Sequence, residues 1–166
     1  SQTGLLWREH EMDPSQEHFA SALIRQTISA AIHALPVSKS GAGGWLLFLP
    51  EQEEHEVGLL FAHFLLRKAA EPVIYLGARV PMSSLISAAR LVKPDLMLTF
   101  FTSMLSIEES QAYVDHLVDE FPGCSICIAG SPTILNQLTR PHRVVFMTSV
   151  DDLIDVLLQE SIDADA

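Results

Sequence analysis

Basic residues are scarce in this chain. Only 10 of its 166 residues are Lys or Arg, against 21 Asp or Glu, for a formal charge of −11. Neutralising phosphates takes a basic face, so a free-standing nucleic-acid binder is excluded. Long apolar runs are missing too. None reaches the roughly 18 to 20 residues of a membrane span, and the longest, Trp45 to Leu49, is strand-sized. No basic start leads into a continuous apolar stretch, so no signal peptide is expected. The sequence begins SQTG without Met, as a fragment or trimmed chain would. Cysteine is limited to Cys124 and Cys127, inside the strand-like CSICIAG. Residues three apart on a strand point to opposite faces, which disfavours a shared disulfide or metal. No second ligand pair stands at zinc spacing. Both read as reduced core thiols, which fits a cytoplasmic protein.

What is present is apolar: 48% of residues are hydrophobic and 19% charged, with mean hydropathy +0.25. That predicts a filled core rather than disorder. The length fits one domain with a small appendage.

Residues 1 to about 36 read as helical. Asp13-Pro14 resembles a helix start, with Asp as N-cap and Pro at the first position. Phe19, Leu23, Ile24, Ile28, Ile32 and Leu35 recur at helical spacing, and Pro36 stops the run. A polar, Gly-rich linker follows from Ser38 to Gly44. The chain thus divides into a helical segment, 1–40, and an α/β domain, 41–166. In the second part the strands GWLLFLP, PVIYLG, PDLMLTFFT, CSICIAG and RVVFM alternate with helices at His55 to Ala70, Ser83 to Val92, Ser106 to Phe121, Pro132 to Leu138 and Val150 to Gln159. Ser106 and Glu109 have capping-box spacing. Continuous apolar strands are expected where helices cover both faces of a parallel sheet. The expected architecture is therefore α/β: an N-terminal helical bundle segment, then a flavodoxin-like (Rossmann-like), doubly wound five-stranded parallel sheet of order 2-1-3-4-5.

Ligands in such a sheet sit beyond the carboxyl ends of the strands, near the switch point. The loop after the first strand holds Glu51, Glu53, Glu54, His55 and Glu56. It would repel a phosphate, which argues against a flavin mononucleotide or nucleotide site. A phospho-accepting receiver would need an Asp ending strand 3 and a Lys after strand 5. Phe101-Thr102-Ser103 and Met147-Thr148-Ser149 stand there instead. Glu51, Glu54 and Glu56 read as a solvated rim. His63 reads as packed or solvated, and His10, His33, His116 and His142 receive no role. No G-x-S-x-G turn and no acid–base carboxylate pair stands out. His55 differs: an imidazole at a strand-to-helix turn can reach a ligand above the sheet, and Glu53 can hold its other nitrogen.

Glu53-x-His55-x-x-Gly58 resembles the D-x-H-x-x-G motif of cobalamin-binding domains. That family continues with S-x-L and then paired glycines. Here Ser103-Met104-Leu105 begins 45 positions after Gly58, and Gly130-Ser131 begins 25 positions after Leu105. Trp7, Glu17 and His18, preceding such a domain, resemble the W-x9-E-H element in the sensory half of light-responsive MerR-type transcription regulators. By itself Trp7 would read as a packing residue, and Glu17-His18 as ordinary first-turn chemistry. The stretches Glu54 to Leu60, Val73 to Ala78 and Val80-Pro81 are similar to the same regulators, so the resemblance runs from about residue 5 to 158.

The resemblance implies several expectations. His55 becomes the lower axial ligand of cobalt. The benzimidazole tail is buried beside the sheet, near Ser103, Leu105, Gly130 and Ser131. Trp7, Glu17 and His18 cap the upper group of adenosylcobalamin, or of another cobalamin. Light changes the oligomeric state of a homo-oligomer, and DNA is contacted only through a preceding domain outside this sequence. No enzymatic activity is expected.

Three departures stand out. Glu53 replaces Asp, and Ser131, followed by Pro132, replaces the second Gly. Met104, Phe100 and Phe101 are bulky beside the tail groove. Two alternatives stay open: a corrinoid-dependent methyltransferase module, and a related domain that takes haem or no cofactor and serves in assembly.

Overall fold

A computed structural model describes residues 13–36, 43–102 and 106–164. Helix α1 (Pro14–Ala34) begins as its sequence predicts: the Ser15 amide donates to the Asp13 carboxylate at 3.0 Å. Five βα units follow: β1 (Trp45–Pro50), α2 (Val57–Lys68), β2 (Val73–Val80), α3 (Met82–Val92), β3 (Leu96–Phe101), α4 (Ile107–Glu120), β4 (Ser125–Gly130), α5 (Pro132–Leu135), β5 (Val144–Met147) and α6 (Val150–Ala164). The strands form one parallel sheet of order β2-β1-β3-β4-β5, the order expected.

Strand alternation sends neighbouring side chains to opposite faces, and helices cover both. Leu46, Phe48, Met97 and Ile126 pack with Leu85, Val114 and Leu117 beneath α3 and α4. Trp45, Leu47, Leu49 and Leu98 pack with Leu59, Leu66 and Leu153 beneath α2 and α6. Every residue of β1 is consequently buried. The same alternation separates the cysteines. Cys127 belongs to the α2–α6 core, while Cys124 lies on the other side with its thiol donating to the Pro94 carbonyl at 3.0 Å.

Local signals account for the helix ends. The Glu109 amide donates to Ser106 Oγ at 3.1 Å, and the Ser106 amide to Glu109 Oε2 at 2.9 Å, a closed capping box. Three elements depart from the sequence expectation. β2 runs on to Val80 through two register shifts against β1, with Arg79 at φ 56. There the Arg79 amide donates to the Glu53 carbonyl at 3.1 Å, tying the end of β2 to the β1–α2 loop. α5 is a single turn ending at Leu135 rather than Leu138. α6 continues past Gln159 to Ala164.

Helix α1 has no strand of its own and packs on α2. Ile32 is its buried anchor, and Arg67 of α2 donates to the Pro36 carbonyl at 2.7 Å. Phe19, Leu23 and Ile24 remain exposed. No helix among the described residues is long and apolar enough to cross a membrane.

Candidate functional site

β1 delivers the chain to the switch point, and the loop from Glu51 to Glu56 turns there into α2. Glu51 and Glu54 stay in solvent, Glu54 beside Arg79. Glu53 does not: it is only 3% exposed. Its Oε1 accepts the amides of Glu54 and His55 at 2.9 and 2.8 Å, and His55 Nδ1 lies 2.7 Å from the same oxygen. Its Oε2 accepts the hydroxyl of Thr102, from the end of β3. Burial pushes the Glu53 carboxyl up. The Thr102 hydroxyl and the His55 amide and ring outweigh it and hold the group below its ordinary value. A carboxylate only accepts, so the proton of a neutral His55 is assigned to Nδ1. Nε2 then carries a free lone pair on a ring 63% exposed, with no hydrogen-bond partner among the described residues. An oriented, neutral imidazole with an open nitrogen is the donor form metals take. The longer Glu53 side chain reaches the imidazole.

Beside this loop a groove of about 570 Å³ runs down the α2–α6 face of the sheet. Thr102, Ser131, Thr148 and Ser149 stand at the strand ends, and Leu98, Phe100, Ala129 and Met147 lie within the strands below. Leu65 and Leu153 form helical walls. Leu98 is four residues below Thr102, about 13 Å along a strand. Gly58 borders this space, while the Cβ position of Gly130 faces Phe101 and Leu135 of the opposite core. A Cβ on Gly58 would stand 2.8 Å from the Phe100 ring, and one on Gly130 would stand 2.7 Å from the Phe101 carbonyl oxygen.

Of the three bulky neighbours, Met104 lies outside the described residues and the other two face different ways. Phe101 points to the opposite core, edge-on to Tyr113, while Phe100 lies across Gly58 as part of the lining. Ser131 is the N-cap of α5, with its Oγ accepting the Thr133 amide at 3.2 Å. Its hydroxyl is thereby turned to the helix end. At the far rim Asp152 accepts the amides of Thr148 and Ser149 at 2.6 and 3.0 Å, which hold its carboxyl below the ordinary value.

The structure thus joins Glu53 with His55 and sets Gly58, Gly130 and Ser131 around one groove. Glu17 and His18 are exposed on the first turn of α1, and no bond links them to the His55 loop among the described residues. Trp7, Ser103 and Leu105 lie outside the described residues. One expectation is corrected. Glu56 is half-buried rather than part of a wet rim, because the Tyr75 hydroxyl donates to it at 3.2 Å and Arg25 of α1 lies 3.8 Å away. Burial and Glu56 push the Tyr75 phenol up. Of the two readings left open for His63, packed or solvated, the structure shows the packed one, stacked on Tyr75 with ring centroids 5.0 Å apart. Thr102 was missed as a site residue. Its signals were its place at the carboxyl end of the third strand and its parity with Leu98 and Phe100 on β3.

No protein-family model matches the chain. Two curated relatives from Myxococcus xanthus do. The HTH-type transcriptional repressor CarH is 31% identical over 143 residues, 86% of this chain and 45% of that protein. The HTH-type transcriptional repressor CarA is 33% identical over 114 residues, 69% of this chain and 38% of that protein. The chain therefore spans less than half the length of these relatives. Among solved structures, a monomethylamine corrinoid protein of Methanosarcina barkeri shares the fold with TM-score 0.65 at 16% identity, over 90% of this chain and 73% of that one. A cobalamin-binding protein of Desulfitobacterium hafniense gives 0.54 at 17% identity, over 95% and 75%. Sheet order and relatives agree: the chain belongs with the MerR-type transcriptional repressors CarH and CarA, over a part that has the fold of cobalamin-binding proteins.

Proposed function

We propose that this chain is the cobalamin-binding sensory part of a cytoplasmic MerR-type transcription regulator, a binding module rather than an enzyme. The observation that carries the reading is the clamped His55: a buried carboxylate fixes one ring nitrogen while the other stands open, on a loop beside a groove. Segment 1–40 would act as the cap and 41–166 as the cofactor-holding domain.

Each residue then has a task. His55 would hold the cobalt through Nε2, and Glu53, anchored by Thr102, would keep the proton at Nδ1. Gly58, Gly130 and Ser131 would floor and rim a groove for the nucleotide tail, and the motif assigns Ser103 and Leu105 to the same task. Trp7, Glu17 and His18 would serve as the cap of the cofactor, as the family resemblance implies. When bound, adenosylcobalamin would supply a light-labile cobalt–carbon bond.

Glu56 follows His55 directly and meets Arg25 of α1, so the ligand loop and the cap helix share a contact. A change at one reaches the other only if the cofactor favours one arrangement over the second. The output proposed is a change of homo-oligomeric state. DNA would be bound through a separate domain, in keeping with the charge of −11 here.

The test is size-exclusion chromatography after dark incubation with adenosylcobalamin, following protein and visible corrin absorbance together, then repeated after illumination. Co-elution with a light-dependent change in apparent mass supports the reading. Absence of co-eluting corrin removes it.

A further inference from the structure

The chemistry of the groove changes with depth. Hydroxyl groups stand at its mouth: Thr102 is committed to Glu53, Ser131 caps α5, and Thr148 and Ser149 are bonded with Asp152. Below them the lining is Leu98, Phe100, Ala129, Met147, Leu65 and Leu153. None of these side chains donates or accepts a hydrogen bond. The backbone groups between them are engaged in the β3–β4 and β4–β5 ladders.

We infer that this groove selects among corrinoids by the polarity of their lower base, accepting an apolar benzimidazole or phenol ring and disfavouring a purine. This rests on the corrinoid reading proposed above. A benzimidazole gives up little on leaving water, because its edges and methyl groups meet Leu, Met and Phe. An adenine carries an amino group and several ring nitrogens, and at this depth no side chain among the described residues replaces their lost water. A buried polar group left without a partner is costly. The ribose and phosphodiester stay near the polar, open mouth in either case, so discrimination falls on the base alone. With His55 as the lower ligand, the base need not bind cobalt, so a phenol ring serves as well as a benzimidazole.

The experiment is a binding titration of the whole chain in the dark with four corrinoids of the same upper ligand. These are cobalamin, a phenol-based analogue, an adenine-based analogue, and cobinamide, which has no nucleotide tail. Cobalamin and the phenol form should bind with comparable affinity, and the adenine form about 10- to 100-fold more weakly, as expected for one or two unpaired polar groups. Equal binding of the adenine form overturns the inference while leaving corrinoid binding intact. So does cobinamide bound as tightly as cobalamin, since the groove would then contribute nothing. Retention of none of the four removes the corrinoid reading itself. A second arm uses Leu65→Gln, on the half-buried helical wall. The variant should narrow the preference for the apolar base at unchanged far-ultraviolet circular dichroism, and an unchanged ratio in the folded variant overturns the inference.

Discussion

His55 Nδ1 lies 2.7 Å from Glu53 Oε1, and Glu53 is in turn held through its other oxygen by Thr102, 49 residues along the chain. The imidazole is exposed, yet its orientation is set by a buried group. Thr102→Val removes the hydroxyl and leaves Oε2 without that donor. The expected loss of stability is about 1–3 kcal/mol, read by thermal unfolding. The sign follows from the direction of the Glu53 shift. A carboxyl held below its ordinary value of 4.5 contributes stability above that pH and loses it as pH falls through the folded value. The difference between wild type and Thr102→Val should therefore shrink on acidification below 4.5. Nitrogen chemical shifts of His55 should report the Nδ1–H tautomer in the wild type and a mixture in Glu53→Ala.

His63 makes a pH prediction of the same sign in a higher window. It is packed against Tyr75 of β2, with Arg67 on its own helix and His33 on α1 nearby. Burial first, then the charges of Arg67 and His33, lower its proton affinity from the ordinary 6.5. The unfolded chain therefore binds this proton more readily. Stability is lost as pH falls below 6.5 toward the folded value. His63→Phe keeps a ring against Tyr75 and cannot take up the proton. Melting temperatures at about pH 7.5 and about pH 5.5 should converge in the variant relative to wild type.

Gly130 pairs with Phe101 in the β3–β4 ladder. A Cβ there would stand 2.7 Å from the Phe101 carbonyl oxygen, a backbone atom fixed by the sheet. Gly130→Ala should cost about 1–3 kcal/mol through overpacking. For a chain of this size that is a fall in Tm of about 2–12 °C, measurable by calorimetry without any cofactor.

These sites differ in how far the sequence disclosed them. Asp13-Pro14 and Ser106 with Glu109 were legible because a cap is completed within a few residues. The doubly wound sheet was legible because β1, β3 and β4 are apolar on both faces, which only two helical layers explain. Glu53, His55, Gly58 and Gly130 were legible through a family motif. The partners of the loop were not. Thr102 reaches Glu53, and Tyr75 and Arg25 reach Glu56, from distant parts of the chain. Nothing local marks a Thr after a strand, or a Glu in an acidic run, as a contact. Likewise the end of β2 was misplaced because its continuation past Gly77 depends on bulges against β1 and on the bond from Arg79 to Glu53.

Gly58 offers a separation of groove shape from stability. It sits in the first turn of α2 with the Phe100 ring so close that a Cβ would come within 2.8 Å of Cε1 and 3.2 Å of Cδ1. The obstruction is a side chain, and the open side of that side chain is the groove. Gly58→Ala should push the ring into the groove rather than unfold the helix. The propensity gain of Ala over Gly in a helix, up to about 1 kcal/mol, offsets part of the strain. The expected outcome is a melting temperature near that of wild type, with corrinoid affinity reduced by about tenfold or more, a loss of roughly 1.4 kcal/mol. Phe100→Leu added to Gly58→Ala should restore binding, because the smaller side chain vacates the space the ring was driven into. Recovery in the double variant, measured as a coupling between the two changes, assigns the effect to groove volume. Additive losses would assign it to the α2 terminus instead.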